Sequence, residues 1–203
     1  MKPESSRWST DSPVARGMLL VLALAALMWV VEVADQIAGG RLDRNGIEPR
    51  AFDGLDGVVW APFLHGGFDH LIGNTIPFLV LGAAIAFGGL ARVAIVTAVV
   101  ALVGGLGTWL VAPANTVHIG ASGIVFGYAA YLVARGVFSR SLGQIALGVL
   151  VLVIWGTTLL QGLVPETGIS WQGHLFGAIG GIVAARLLHG QTLRTRVAPA
   201  RVG

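Results

Sequence analysis

Between Arg92 and Arg135 the chain runs for 42 residues without a single Asp, Glu, Lys or Arg. Nothing else in the sequence constrains the fold as tightly. A helix crosses a bilayer with about 20 apolar residues, so this run is too long for one crossing. It must cross twice, and Pro113, Asn115 and Thr116 mark the break. One span is therefore expected over 93–111 and the next from Ser122 onward. Backbone that leaves a helix inside lipid has no water to bond, so the break must be buried in protein or line a wet cavity.

Four further apolar runs predict spans over 18–38, 71–90, 142–163 and 174–188, six in all. The first ends with Glu32 and Asp35. A basic start before an apolar run could also be a signal peptide. No small-residue cleavage site follows and Glu32 interrupts, which favours a retained helix. Composition agrees with lipid as the solvent: 11% of residues are charged and mean hydropathy is +0.79, where a soluble domain carries about 25% charged residues. The sequence has no cysteine, which excludes a disulfide framework, a thiolate nucleophile and a Cys-ligated metal. A pI near 10.2 could suggest nucleic acid, but the basic residues lie in small groups between apolar runs.

Their placement sets an orientation. With the N-terminus inside, Lys2, Arg7, Arg16, Arg92, Arg135, Arg140, Arg186, Arg194, Arg196 and Arg201 fall on the cytoplasmic side. Only Arg41, Arg44 and Arg50 fall outside, in one loop over 39–69 that is the longest connection and also holds Asp43, Glu48, Asp53, Asp56 and Asp69. The organisation expected is a cytoplasmic tail (1–17), an all-α six-helix core (18–190) with a long first outer loop, and a basic cytoplasmic tail (191–203). The stretch "VVWAPFLHGGF" in that loop is amphipathic enough to lie in the interface, with Trp60 at headgroup depth.

The fourth and sixth spans are short. Ser122 to Ala134 is 13 residues, roughly 20 Å of helix against roughly 30 Å of hydrocarbon. If Arg135 marks the inner surface, Ser122 is recessed below the outer one, and His174, counted back from Arg186, reaches a similar depth. Gly173, Gly177 and Gly181 recur on one face of the sixth span, and Gly123 and Gly127 on the fourth. Small residues at this spacing let helices approach closely, which would bring Ser122 to His174 at the floor of an outward-facing wet pocket.

Polar residues rare in lipid gather around that pair: His65, His70, Asn74, His118, Ser122 and His174. A serine hydroxyl becomes a nucleophile when a neighbouring base takes its proton, and histidine suits that near neutral pH. His174 is the better base, because it comes from another helix at matching depth. His118 lies one turn before Ser122, and the simplest role for it is a polar loop residue that bonds backbone. His70 and Asn74, four apart on one helix face, suit an oxyanion hole together with the Ser122 backbone N–H; an interhelical hydrogen-bond pair is the structural alternative. His65, five residues before His70 in the loop, is expected to hold that loop in place. A metal held by His65, His70 and His174 has no carboxylate or HExxH spacing behind it, and no cofactor is expected. Glu166 and Asp69 are the nearest carboxylates in sequence to His174 and read as exposed, so a Ser–His dyad is the economical arrangement. Phe126, one turn after Ser122, could pack on the imidazole instead.

Three stretches, "APFLHGGFDHLIGN" (61–74), "GASGIVFGY" (120–128) and "GHLFGAIGG" (173–181), resemble the rhomboid family of intramembrane serine proteases. The resemblance covers roughly residues 18–190, with the motifs in family order. It implies Ser122 as nucleophile, His174 as base, His70 and Asn74 in the oxyanion hole, His65 as the histidine that steadies the first loop, and Phe126 at the position that stacks on the catalytic histidine. Gly120, Gly123, Gly177 and Gly181 support the site. One departure stands out: the Trp-Arg pair many members carry in the first loop is replaced by Asp56 and Gly57.

The function expected is a serine endopeptidase of a bacterial inner membrane, cutting membrane-protein substrates in or near a transmembrane segment, with both termini cytoplasmic. A non-catalytic membrane-helix-binding protein or chaperone of the same fold is the alternative, and a transporter a third reading.

Overall fold

A computed structural model describes residues 12–197, and their side chains as far as His189. Residues 1–11 and 198–203, which hold most of the expected N-terminal tail and the end of the basic one, lie outside the described residues. Helix α1 (Pro13–Ile37) opens on Ser12, whose Oγ accepts the Ala15 N–H at 3.1 Å, with Pro13 in the first turn where no N–H is needed. The long helices that follow are α3 (Phe68–Ala86), α4 (Leu90–Val111), α5 (Ser122–Ser139), α6 (Leu142–Gln161) and α7 (Trp171–Val197); the short α2 (Gly57–Trp60) lies in the connection before α3. Among the described residues there is no strand, only one antiparallel bridge between Ile47 and His118.

Helices α1, α3, α4, α5 and α6 are long and apolar enough to cross a membrane. Their outer faces agree: Leu142, Val153 and Leu160 on α6 are each more than two-thirds exposed, an apolar surface of a size that water would not tolerate. The break inside the uncharged run falls where proline and a left-handed residue place it, between Val111 and Ser122, with Asn115 at φ +62°. Helix α5 is the hub, packed by α7, α6, α3 and α4. It ends on Arg140 in the left-handed conformation that stops a helix. Helix α5 runs four residues past a half-buried Arg135.

Glycine makes the α5–α7 contact. A Cβ on Gly177 would lie 2.2 Å from the Gly123 carbonyl oxygen, and one on Gly181 2.0 Å from that of Gly127. Neither backbone can yield locally, so any larger residue there must part the helices.

The segment between α1 and α3 is anchored to the bundle although Asp56 and Gly57 stand in place of the Trp-Arg pair. Another Trp and another Arg do the anchoring. Arg50 Nη1 donates to the carbonyls of Leu110 (3.1 Å) and Ala112 (2.7 Å), and Trp109 Nε1 donates to the Ala51 carbonyl at 2.8 Å. A guanidinium on the last carbonyls of α4 satisfies groups the helix leaves open and suits its dipole. At the end of α1, the buried Asp35 accepts the Leu42 N–H at 2.6 Å, and Gln36 donates to Glu32 at 2.8 Å. Nearby Asp43 is pushed up to about 6, by burial first and then by the charges of Asp35 and Glu32.

Candidate active site

Ser122 is the first residue of α5, and His174 sits in the first turn of α7. Their side chains meet: His174 Nε2 and Ser122 Oγ are 2.8 Å apart. The opposite ring nitrogen, Nδ1, lies 2.7 Å from the Gly162 carbonyl oxygen at the end of α6. A carbonyl can only accept, so Nδ1 carries the proton and a neutral ring presents Nε2 as the acceptor for the Ser122 hydroxyl. The Phe126 ring lies flat on the imidazole, with centroids 4.1 Å apart and planes within 7°. The base is thus held on its face by an aromatic ring and at its edge by a backbone carbonyl.

Asp69 and Glu166 are both exposed, and neither bonds His174. The group that fixes the tautomer is a main-chain oxygen, for which the sequence carries no signal except a glycine. Gly162 has ordinary helical dihedrals, but an added Cβ would come 2.5 Å from Phe126 Cζ and 3.0 Å from His174 Nδ1. That glycine is the price of the carbonyl's close approach.

The rest of the expected set is arranged around the serine. Gly120, at φ +109°, presents a bare Cα to His70; a Cβ there would stand 2.7 Å from His70 Cε1 and 3.8 Å from Ser122 Oγ. Asn74 is buried and spends one N–H on the His70 carbonyl at 3.1 Å, leaving a second to donate. His70, Asn74, Ser122, Phe126 and His174 all line one open cleft of about 1620 Å³, together with Trp155 and Trp171. A second cavity of about 50 Å³ reaches Ser122 between α4, Pro62 and His118, with room for a few waters.

His65 is fully buried, and its Nε2 accepts the Ala121 N–H at 3.3 Å. Burial, reinforced by the charge of His70 and only partly opposed by the Phe63 backbone, pushes its pKa down to about 4. It is therefore a neutral acceptor that holds the residue before the nucleophile, not a proton carrier. His118 departs from its expected role. Its backbone pairs with Ile47, N–H to carbonyl at 3.0 Å and carbonyl to N–H at 2.9 Å, but its ring bonds two side chains, Thr116 and Ser170. Sequence reasoning missed Ser170 altogether; its place four residues before His174 is the only trace it leaves.

The chain is similar to one known family and to several known proteins. The Rhomboid domain family matches residues 55–191. An uncharacterized protein of Mycobacterium tuberculosis (strain H37Rv) is 46% identical over 189 residues, spanning 89% of this chain and 78% of the relative. One from Mycobacterium leprae (strain TN) is 44% identical over 189 residues, 89% of this chain and 74% of the relative. A Bacillus subtilis (strain 168) protein named "Putative rhomboid protease YdcA" is 28% identical over 179 residues, 82% of this chain and 85% of its own length.

Proposed function

The chain belongs to the rhomboid family, and from that premise we propose that it is an intramembrane serine endopeptidase acting through Ser122 and His174. The observation that carries the proposal is the 2.8 Å contact between Oγ and an Nε2 left free to accept by the Gly162 carbonyl. As Oγ attacks a substrate carbonyl carbon, its proton passes to Nε2, and the carbonyl oxygen becomes an oxyanion. The His70 ring, the spare Asn74 N–H and the Ser122 backbone N–H, which lies outside the α5 ladder, are the donors this mechanism assigns to it. His174 then gives its proton to the leaving amine, and the acyl-enzyme is hydrolysed by water, which the open cleft admits. The imidazolium formed in between is stabilised by Nδ1–H donating to Gly162 and by the face of Phe126.

In this reading α7 is the sixth span and both termini are cytoplasmic, as the ten-to-three division of basic residues requires. Substrate helices reach the cleft past α6, whose only buried residues are Gly148 and Val151. They must unwind to present a peptide bond, so helix-weakening residues at the cut site are expected. The test is cleavage of a membrane-anchored substrate. Ser122→Ala and His174→Ala should each abolish it in a folded protein, while Glu166→Gln and Asp69→Asn should change it far less. A loss near 10⁴ in either carboxylate variant, as when a triad acid is removed, would replace the dyad by a triad.

A further inference from the structure

His118 stands four residues before Ser122, and Ser170 stands four residues before His174. Their side chains are bonded, His118 Nδ1 to Ser170 Oγ at 2.7 Å. A second hydrogen bond therefore runs beside that of the dyad, between the same two stretches of chain and over the same sequence separation.

The direction of this bond follows from its neighbours. Thr116 Oγ1 donates to the Pro113 carbonyl at 2.6 Å, which uses its only proton. Thr116 must then accept from His118 Nε2, 2.9 Å away, so Nε2 carries the ring proton. In a neutral ring that leaves Nδ1 to accept the Ser170 hydroxyl proton. Burial holds the His118 pKa below its ordinary value, which keeps the ring neutral. One defined chain results: Ser170 O–H to His118, His118 N–H to Thr116, Thr116 O–H to Pro113.

Both ends of the strut lead directly to the reacting atoms. The Ser170 carbonyl accepts the His174 N–H at 3.1 Å, the bond that starts the helical turn carrying the base. On the other side, the His118 backbone is fixed to Ile47 by two hydrogen bonds, and Gly120 N–H donates to the Ala61 carbonyl at 2.8 Å. Between those anchors and Ser122 only Ala121 intervenes, and His65 holds its N–H. The lead-in to the nucleophile has no helix ladder of its own, so the α5–α7 glycine contact and the Phe126 stack act on α5 and on the imidazole but leave residues 118–121 to be held by their own bonds.

We propose that the His118–Ser170 hydrogen bond is a positioning strut that sets the separation of Ser122 from His174. The inference rests on the dyad reading above. Neither residue needs to touch substrate. Their effect is on how often Oγ and Nε2 are within bonding distance, so it falls on turnover and on the intrinsic reactivity of the serine, not on substrate affinity.

The experiment measures kcat and KM on a transmembrane peptide in detergent, and in parallel the rate at which a small fluorophosphonate labels Ser122, with thermal melts as a folding control. Ser170→Ala should lower kcat and the labelling rate together by about tenfold, the kinetic equivalent of one net hydrogen bond, with KM within twofold. Ser170→Thr, which keeps the hydroxyl, should restore both, and the Ser170→Ala/His118→Asn double variant should be no slower than the worse single one. Three outcomes overturn the strut: wild-type labelling in a folded Ser170→Ala protein, a raised KM at unchanged kcat, or Ser170→Thr as slow as Ser170→Ala. If Ser170→Ala does not fold, Thr116→Val, which releases the far end of the chain, carries the same expectation of a slower, rescued-by-Ser reactivity, and unaltered labelling there is equally fatal. Wild-type protein that is never labelled at Ser122 would instead remove the dyad reading on which the strut depends.

Discussion

Replacing Gly162 by alanine should disable the base without unfolding the protein. The new Cβ would stand 2.5 Å from Phe126 Cζ, 3.3 Å from Phe126 Cε2 and 3.0 Å from His174 Nδ1, where ordinary contact begins at 3.4 Å. Something must therefore move by about 1 Å. Phe126 and His174 are stacked on each other and nearly buried, whereas α6 is packed on one side only. The easiest relief is for the end of α6 to swing away, which breaks the Nδ1–H bond to the Gly162 carbonyl; the other is to push the imidazole off Ser122. Either way the base is misplaced by about 1 Å, a displacement that costs on the order of 10²-fold in rate, or about 2.7 kcal/mol on the barrier. Gly162 has φ −66°, so alanine adds no backbone strain and the melting temperature should shift little. The assay is kcat on a fluorogenic transmembrane peptide beside a thermal melt. A folded Gly162→Ala protein with kcat within twofold of wild type would refute the claim that this carbonyl sets the tautomer.

If His70 and Asn74 stabilise developing charge, replacing either by alanine should lower kcat by roughly 10² to 10³ with the fold intact; lost stability with turnover per folded molecule unchanged would make them a structural pair. His65 should make stability depend on pH. Its folded-state pKa of about 4 lies below the ordinary 6.5, so the native state binds fewer protons in between, and the stabilisation is complete above 6.5 and lost as pH falls toward 4. At 1.36 kcal/mol per unit this is about 3 kcal/mol. Asp43, raised from 3.8 to about 6, acts with the opposite sign, favouring the fold below 3.8 and losing that contribution as pH rises to about 6. The comparison is therefore of wild type with His65→Gln, and a melting temperature that falls equally in both between pH 7 and 4.5 would deny His65 the effect. Reporter fusions at residues 10 and 195 should both read cytoplasm and one at 45 the outside; an outside C-terminus would mean an odd number of spans.

Much of this arrangement could be read before any coordinates. The uncharged run, with Pro113 inside it, located two spans and the irregular entry to Ser122, because lipid tolerates so few alternatives. Glycine every fourth residue foretold the α5–α7 contact, since a pattern in which a single atom size recurs is itself a packing statement. What stayed hidden depends on backbone atoms and on long-range partners. The Gly162 carbonyl is an oxygen every residue has, and only its position makes it the partner of His174. Arg50 and Trp109, 59 positions apart, anchor the connection that Asp56 and Gly57 do not, because capping a helix end needs a guanidinium in reach and not at a set spacing.

Activation of Ser122 by His174 is the step on which the proposed mechanism depends. Its most direct measurement is the site of covalent modification by a fluorophosphonate, read by peptide mass spectrometry on the intact membrane protein. One adduct is expected, on Ser122, formed readily by wild type and slowed by orders of magnitude in His174→Ala at an unchanged melting temperature. An adduct on another serine, or labelling of Ser122 that is as fast without the His174 imidazole as with it, would rule that activation out.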